Sequence, residues 1–234
     1  NKKYRHINIH KRFENYPLPK TKIINLNINK IKEKYVAKET VDLVKTYLNK
    51  GDQVLFFINR RGYSPYLICK KCGYKHVCSN CSLYLTFHKV KNKAICHHCS
   101  HEREIKMKCK NDNFCDFIMY GPGVEKVFDE VKKIFPNKNV NIFSSDYMKK
   151  KEYTEKLFKE ISNNQVDIII GTQMISKGFN FPKLNCIVVI DADFSGRGYD
   201  LRTTEKNIQL YHQLSGRAGR FSSNSLIIYQ TLSP

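Results

Sequence analysis

The chain has 234 residues, 41% of them hydrophobic, and its 41 lysines and arginines against 21 acidic residues give a formal net charge of +20. That hydrophobic content is enough for a packed core and excludes a fully disordered chain. The longest apolar runs are far shorter than the roughly 20 residues of a transmembrane helix, so no membrane partner is expected. The excess positive charge favours a polyanionic partner, most commonly nucleic acid.

The first third of the chain predicts a helix followed by a buried strand. A pattern of helical spacing ends at Gly51 and is formed by Val36, Thr40, Val44 and Tyr47. The apolar run 54–58 then predicts a strand buried on both faces. No apolar secretory signal opens the chain, and it starts at Asn1 rather than Met, which indicates a piece of a longer protein.

Eight of the nine cysteines lie between residues 69 and 115, and the ninth, Cys186, sits in an apolar run that predicts a core position. Three of the spacings are C-x2-C, which lets a tight turn direct two thiolates at one metal ion. Four thiolates complete the closed tetrahedral site of a structural zinc ion. The alternative, a disulfide framework, requires an oxidising compartment. The order is Cys69-x2-Cys72-x5-Cys78-x2-Cys81-x14-Cys96-x2-Cys99-x9-Cys109-x5-Cys115.

Eight ligands suit two zinc ions in a nested arrangement. The inner ion is expected to bind Cys78, Cys81, Cys96 and Cys99. The outer ion is expected to bind Cys69, Cys72, Cys109 and a fourth group. The fourth ligand stays open between Cys115 and Asp112, because Asp112 stands where the second cysteine of a fourth C-x2-C pair would follow Cys109.

Lysines and aromatic residues are interleaved in the same stretch, which leaves two interpretations. Cations for phosphates and rings for bases are typical of a surface that contacts single strands. The same rings also suit the small core that such a module needs. The rings are Tyr66, Tyr74, Tyr84 and Phe87.

Beyond the cysteines, predicted strands and helices alternate. A helix opens at 121–123, and the later elements are a strand at 140–143, a helix at about 150–161, strands at 166–170 and 186–190, a helix at 207–214 and a strand at 226–229. Alternation of this kind predicts an α/β fold with a mostly parallel sheet and helices on both faces. The cysteine-rich module is expected to interrupt one crossover. In such sheets the functional residues usually lie at the carboxyl ends of strands, which are predicted here at 59–62, 171–173 and Asp191.

Three stretches carry a resemblance to a known family. Val54 to Tyr63, VLFFINRRGY, resembles motif IV of the superfamily 2 helicases, and Gly171 to Pro182, GTQMISKGFNFP, resembles their motif V. Gln213 to Arg220, QLSGRAGR, matches their motif VI, Q-x-x-G-R-x-G-R. With a cysteine-rich insert between the first two motifs, the chain is similar to the replication-restart helicases of the bacterial primosome. In that family the last cysteine pair is C-x2-C, which Asp112 interrupts here.

The resemblance implies a RecA-like second helicase lobe with an inserted zinc module. The implied division is lobe 1–62, insert 63–118 and the remaining lobe 119–234. The family's activity is ATP-dependent 3′-to-5′ unwinding of DNA at stalled forks in the bacterial cytoplasm, with Mg²⁺ and ATP held between two lobes. Implied partners are fork, single-stranded and duplex DNA, other primosome proteins and single-stranded DNA-binding protein.

The chain contains no phosphate loop of the form G-x-x-x-x-G-K-[ST]. We therefore expect it to be an enzyme only as part of the full-length helicase and to be inactive alone. The alternative is a zinc-dependent DNA-binding or scaffold module without ATPase activity. Intact motif VI favours the helicase.

The resemblance also implies roles for individual residues. Arg217 and Arg220 are the candidate arginine fingers, since an arginine from across the cleft stabilises charge on the γ-phosphate. Gln213, one helical turn earlier, is expected to bond phosphate or water. Close approach to nucleotide or DNA phosphates is expected of Arg60, Arg61, Gly171, Thr172, Gln173, Gly216 and Gly219.

Overall fold

The computed structural model describes residues 16–26, 35–59, 66–69, 76–81, 85–88, 93–96, 99–104, 117–120, 123–144, 147–148, 151–176, 180–190, 192 and 203–231. The strands are β1 (Lys20–Asn25), β2 (Gln53–Ile58), β3 (Tyr66–Cys69), β4 (Thr86–His88), β5 (Lys93–Ile95), β6 (Glu102–Arg103), β7 (Phe117–Tyr120), β8 (Val140–Phe143), β9 (Ile168–Gly171), β10 (Leu184–Ile190) and β11 (Leu226–Thr231). The helices are α1 (Lys38–Leu48), α2 (Val124–Ile134), α3 (Lys151–Ser162) and α4 (Thr203–Ser215).

Six strands form one sheet in the order β1-β11-β10-β2-β9-β8. All neighbouring pairs in this sheet are parallel. The two outer faces are covered by different helices: α1 and α2 pack on one, and α3 and α4 on the other. The predicted parallel sheet with helices on both faces is therefore confirmed.

The central strands alternate their side chains between two separate cores. Phe56 packs with α1 and α2, whereas its neighbours Leu55 and Phe57 pack with α3 and α4. Every residue of β2 and of β10 is buried, as the continuous apolar runs predicted. Among the described residues no helix is both long and apolar enough to cross a membrane.

Two elements differ from the sequence-based expectation. Strand β1, KTKIIN, was not predicted, because it lies at the edge of the sheet and buries only Ile24 fully. Without burial on both faces an edge strand needs no apolar run. Helix α4 begins at Thr203, earlier than the predicted 207, because its first turn is polar.

The cysteine-rich module contains two small antiparallel sheets. Strands β3 and β7 pair with each other, at the two ends of the module in sequence. Strands β4, β5 and β6 form a three-stranded sheet. Strand β3 comes after β2 and strand β7 comes before α2, so the module interrupts the crossover that the sequence indicated.

A buried glutamine on β11 fixes the start of α1. The N-cap residue Ala37 has no side-chain acceptor of its own. Instead, the Oε1 atom of Gln230 accepts from the Ala37 N–H at 2.8 Å and from the Thr40 hydroxyl at 2.7 Å. The Nε2 atom of Gln230 donates to the Tyr35 carbonyl at 2.7 Å. The helix start is thus capped by a strand residue that is distant in sequence.

Replacing Gln230 with leucine should lower the free energy of unfolding by about 2–4 kcal/mol, because the buried groups of Ala37 and Thr40 and the partly buried carbonyl of Tyr35 lose this hydrogen bond. Urea unfolding followed by circular dichroism measures this change. The matched control is Gln209→Leu on exposed α4, expected to change stability by less than about 0.5 kcal/mol. Equal effects of the two substitutions would contradict the capping role.

Candidate functional site

Polar side chains meet where β2 and β9 end, at what we call the carboxyl edge of the sheet. Asn59 follows β2, and Gln173 comes shortly after β9, the neighbouring strand. The Gln173 Nε2 atom donates to Asn59 Oδ1 at 2.8 Å. Asn59 Nδ2 in turn donates to Asn207 Oδ1 on α4 at 3.4 Å, a weaker contact. Three amide side chains therefore connect motif IV, motif V and the helix that leads to motif VI.

The other motif V residues at this edge face the interior. Thr172 is buried, and its N–H donates to the Phe143 carbonyl at 3.3 Å. An ideal Cβ on Gly171 would lie 3.0 Å from the Leu55 Cδ1 atom and 3.2 Å from Ile175, so the glycine permits tight packing under the edge. Of the three predicted residues 171–173, Gln173 is the one exposed to solvent.

The first arginine of motif VI is bound to motif V. The Nε and Nη2 atoms of Arg217 donate to the Ser176 carbonyl at 3.1 and 2.7 Å. Ser176 ends a 3-10 turn that starts at Gln173, and its hydroxyl donates to the Gln173 carbonyl at 2.7 Å. Burial, and secondly the positive charge of Arg220, lowers the pKa of Arg217. The side chain is thus held in place close to a like charge.

The second arginine is held by uncharged groups. Arg220 Nε donates to the Gly216 carbonyl at 3.0 Å, and Nη1 donates to Asn180 Oδ1 at 3.3 Å. Neither acceptor neutralises the guanidinium. We call Arg217 and Arg220 the arginine pair, in which two like charges lie close together, an arrangement that favours a bound anion. Gln213 is exposed one turn earlier on α4.

A glycine turn completes motif VI at the opposite end of the strands. Gly219 has φ +65°, and an ideal Cβ there would lie 2.1 Å from Ser225 Oγ, so only glycine fits. Its N–H donates to the carbonyl of Leu184, the first residue of β10, at 3.1 Å. By contrast, a Cβ on Gly216 would make only ordinary contacts. The turn between Arg217 and Arg220 thus lies at the amino end of β10, whereas Asn207 of α4 contacts the carboxyl edge.

Four of the predicted metal ligands come together in the cysteine-rich module, in what we call the cysteine cluster. The Sγ atoms of Cys78, Cys81, Cys96 and Cys99 all lie within 4.8 Å of one another. Cys78 and Cys99 are 3.5 Å apart, and Cys81 and Cys96 are 3.3 Å apart. Tetrahedral thiolates at about 2.3 Å from a zinc ion would be about 3.8 Å apart. The donor set therefore fits one tetrahedral metal ion.

The surroundings of the cysteine cluster also suit a metal. Burial raises the pKa of Cys78, but the N–H groups of Asn80 and Cys81 and the neighbouring thiols outweigh it and bring this pKa to about 7. The thiolate is the form that binds metal. Among the described residues, the buried apolar cluster of the module contains only Leu85 and Ala94 besides cysteines. The thiolates thus supply much of the module's interior.

Most of the other predicted site residues lie outside the part of the chain that the structure describes. Cys69 ends β3, and its backbone pairs with Phe117, which follows Cys115 closely in sequence. No local pattern marks Asn207, because a polar residue in a predicted helix is typical of an ordinary surface position. Outside the described residues lie Arg60, Arg61, Cys72, Cys109, Asp112, Cys115, Asp191 and the side chain of Cys69.

Comparison with known proteins agrees with this arrangement. Residues 90–222 match the family model described as helicase conserved C-terminal domain. Replication restart protein PriA of Rickettsia conorii is 38% identical over 234 residues, 99% of this chain and 36% of that protein. PriA of Bacillus subtilis is 34% identical over 196 residues, 84% of this chain and 24% of that protein. The structure of RecG bound to a three-way DNA junction has a TM-score of 0.45 and 12% identity, over 92% of this chain and 18% of that one.

The chain spans about a third or less of the length of these two curated relatives. The family match covers motifs V and VI, both of which the structure brings into contact through Arg217. The parallel sheet with helices on both faces has the architecture expected of a RecA-like lobe. The chain therefore belongs to the family of helicase conserved C-terminal domains, as a C-terminal lobe of the superfamily 2 type.

Proposed function

We propose that the chain is the second half of an ATP-dependent 3′-to-5′ DNA helicase that restarts stalled replication forks and assembles the primosome in the bacterial cytoplasm. The observation that carries this proposal is the arginine pair, two like charges that backbone and amide oxygens hold in place. The relatives at this level of identity are named replication restart proteins. A scaffold without ATPase activity would have no need of that arrangement.

The arginine pair is proposed to complete a nucleotide site that a first lobe provides. Arg217 and Arg220 would contact the phosphates of ATP bound with Mg²⁺, and Gln213 would bond phosphate or water. Gly219 allows the backbone to turn sharply between the two arginines, and the Gly216 carbonyl accepts a hydrogen bond from Arg220. The chemistry supplied is stabilisation of the charge that develops on the γ-phosphate. Since this chain has no phosphate loop, the nucleotide must be held chiefly by the other lobe.

The carboxyl edge is proposed to contact DNA. Gln173 is exposed there and Asn59 lies beside it, and amide groups of this kind bond phosphates, sugars and base edges. Arg60 and Arg61 follow Asn59 in sequence and would add charge. Gly171 and Thr172 would act indirectly, because their packing in the interior holds the backbone that carries Gln173. The net charge of +20 favours fork, single-stranded and duplex DNA as partners.

The insert, residues 63–118, is proposed to bind two zinc ions and to interrupt a lobe formed by residues 1–62 and 119–234. The cysteine cluster would hold the inner ion. The outer ion would use Cys69, Cys72, Cys109 and either Cys115 or Asp112. The pairing of Cys69 with Phe117 favours Cys115, which is close to Phe117 in sequence. Contacts with other primosome proteins and single-stranded DNA-binding protein are part of the same proposal.

The purified chain should contain about two zinc ions, and Cys78→Ser should lose at least one, because three thiolates no longer close the site. Metal analysis by mass spectrometry measures both. The α/β lobe should stay folded, since its two cores lie outside the module. Cys186→Ser is the matched control, a buried cysteine of the lobe that should leave the zinc content unchanged. A content of one ion or fewer in the parent chain would contradict the two-site proposal and implicate Asp112.

When the chain is joined to a first lobe of the same family, Arg220→Ala should lower steady-state ATP turnover by about 10³-fold or more. Arg220→Lys should recover little, because an ammonium group cannot bind two phosphate oxygens in the forked manner of a guanidinium. Zinc content should be unchanged in both variants. The matched control is Lys159→Ala, which removes an exposed cation from α3. Normal turnover by the Arg220→Ala protein would move the role to Arg217.

A further inference from the structure

A histidine and an arginine that belong to no motif are in contact in the cysteine-rich module. The Nη2 atom of Arg103 and the Nδ1 atom of His76 are 2.9 Å apart. A guanidinium has only donors, so Arg103 donates and the His76 ring carries its hydrogen on Nε2. Among the described residues, His76 lies outside the set of side chains whose ligand atoms could gather around one metal ion. This contact, which we call the Arg103–His76 clamp, is therefore separate from the metal's ligands.

The clamp joins the two turns that supply the cysteine ligands. His76 is buried and comes just before Cys78, at the start of the first turn, whereas Arg103 lies on β6, which follows the second turn. Each partner is held by a further contact. The Leu85 N–H donates to the His76 carbonyl at 2.9 Å, and the backbone of β6 pairs Arg103 with Ala94 on β5. The clamp thus connects the beginning and the end of the cysteine cluster.

The described part of the module has few other means of holding these two turns together. Its buried apolar cluster contains only Leu85 and Ala94 besides cysteines. So small a cluster buries little apolar surface, and the relative position of the turns must depend on bound metal and on specific polar contacts. Four thiolates also outweigh the charge of one divalent ion, so a positive charge on the neighbouring strand is favourable.

We infer that Arg103 and His76 are positioning residues that hold the cysteine cluster in its metal-binding arrangement and so retain the inner ion. This inference rests on the proposed binding of zinc by the cluster, and it adds two residues that would not touch the metal. A site whose ligands are already held in place loses less conformational entropy when the ion binds. Partners of this kind, outside the ligand set, usually contribute about 10-fold to 100-fold to metal affinity.

The test is competition for zinc between the purified chain and a chelator, with the ions on each chain counted by native mass spectrometry. Arg103→Met keeps a long side chain but removes the guanidinium, and it should weaken the binding of one ion by about 10-fold to 100-fold. Lys93→Met is the matched control. It also removes a cation that connects β5 to β6, since Lys93 lies 3.6 Å from Glu102, but this pair is exposed and should not affect zinc affinity.

Two substitutions of His76 separate the hydrogen bond from the imidazole ring. His76→Leu removes the acceptor for Arg103 and should weaken zinc binding to within about 3-fold of the Arg103→Met value. His76→Asn places an amide oxygen about where Nδ1 lies, and it should keep the parent's zinc affinity within about 3-fold. When fully loaded with Co²⁺, all these variants should show the parent's absorption spectrum, because the four thiolate ligands are unchanged.

A second background assigns the effect to the inner ion. Cys78→Ser removes an inner ligand, so any ion that this variant keeps is the proposed outer one. Adding Arg103→Met to it should leave the affinity for that ion unchanged, because the clamp joins the turns of the cysteine cluster. A contact that merely kept the whole module folded would weaken the binding of both ions.

Three outcomes would overturn the inference. If the parent chain binds no zinc, the proposed zinc function itself is wrong. If the parent chain binds zinc and Arg103→Met holds it as firmly as Lys93→Met does, the zinc function stands and the clamp is wrong. If His76→Asn loses as much affinity as His76→Leu, or if Arg103→Met changes the Co²⁺ spectrum or weakens the ion kept by Cys78→Ser, the two residues do not act by holding the inner ligands.

Discussion

The central strands of the parallel sheet are buried on both faces, and this burial limits where the lobe can place functional side chains. All residues of β2 and β10 are buried, so these central strands offer no polar side chain to a ligand from either face of the sheet. Charged and polar groups can gather only where strands end or where a connection runs over the surface. Asn59 and Gln173 occupy the first kind of position, and the arginine pair occupies the second.

One helix spans the distance between these two positions. Near its start, α4 contacts the carboxyl edge through Asn207, and it ends just before Gly216 and the arginine pair. The segment that follows α4 is bound to the connection between β9 and β10, through Arg217 at Ser176 and through Arg220 at Asn180. The side chains proposed to contact DNA and those proposed to contact ATP therefore share one rigid support, although they lie at different ends of the strands.

Sequence reasoning succeeded where a feature is local and failed where it depends on a distant neighbour. The run 54–58 predicted β2 because a strand buried on both faces must be apolar throughout, whereas edge strand β1 carries no such run. The spacing of the cysteines identified the four that come together. By contrast, the capping role of Gln230 depends on a tertiary contact with Ala37, which no local pattern records.

The central claim is that this chain supplies half of a DNA-stimulated ATPase. Its most direct test is steady-state ATP turnover, with and without single-stranded DNA, by the chain alone and by the chain joined to a first lobe of its family. We predict no turnover by the chain alone, because it has no phosphate loop, and DNA-stimulated turnover by the joined protein. Robust turnover by the chain alone would contradict the account. A joined protein that binds DNA and zinc but never hydrolyses ATP would contradict it equally, and would favour a scaffold.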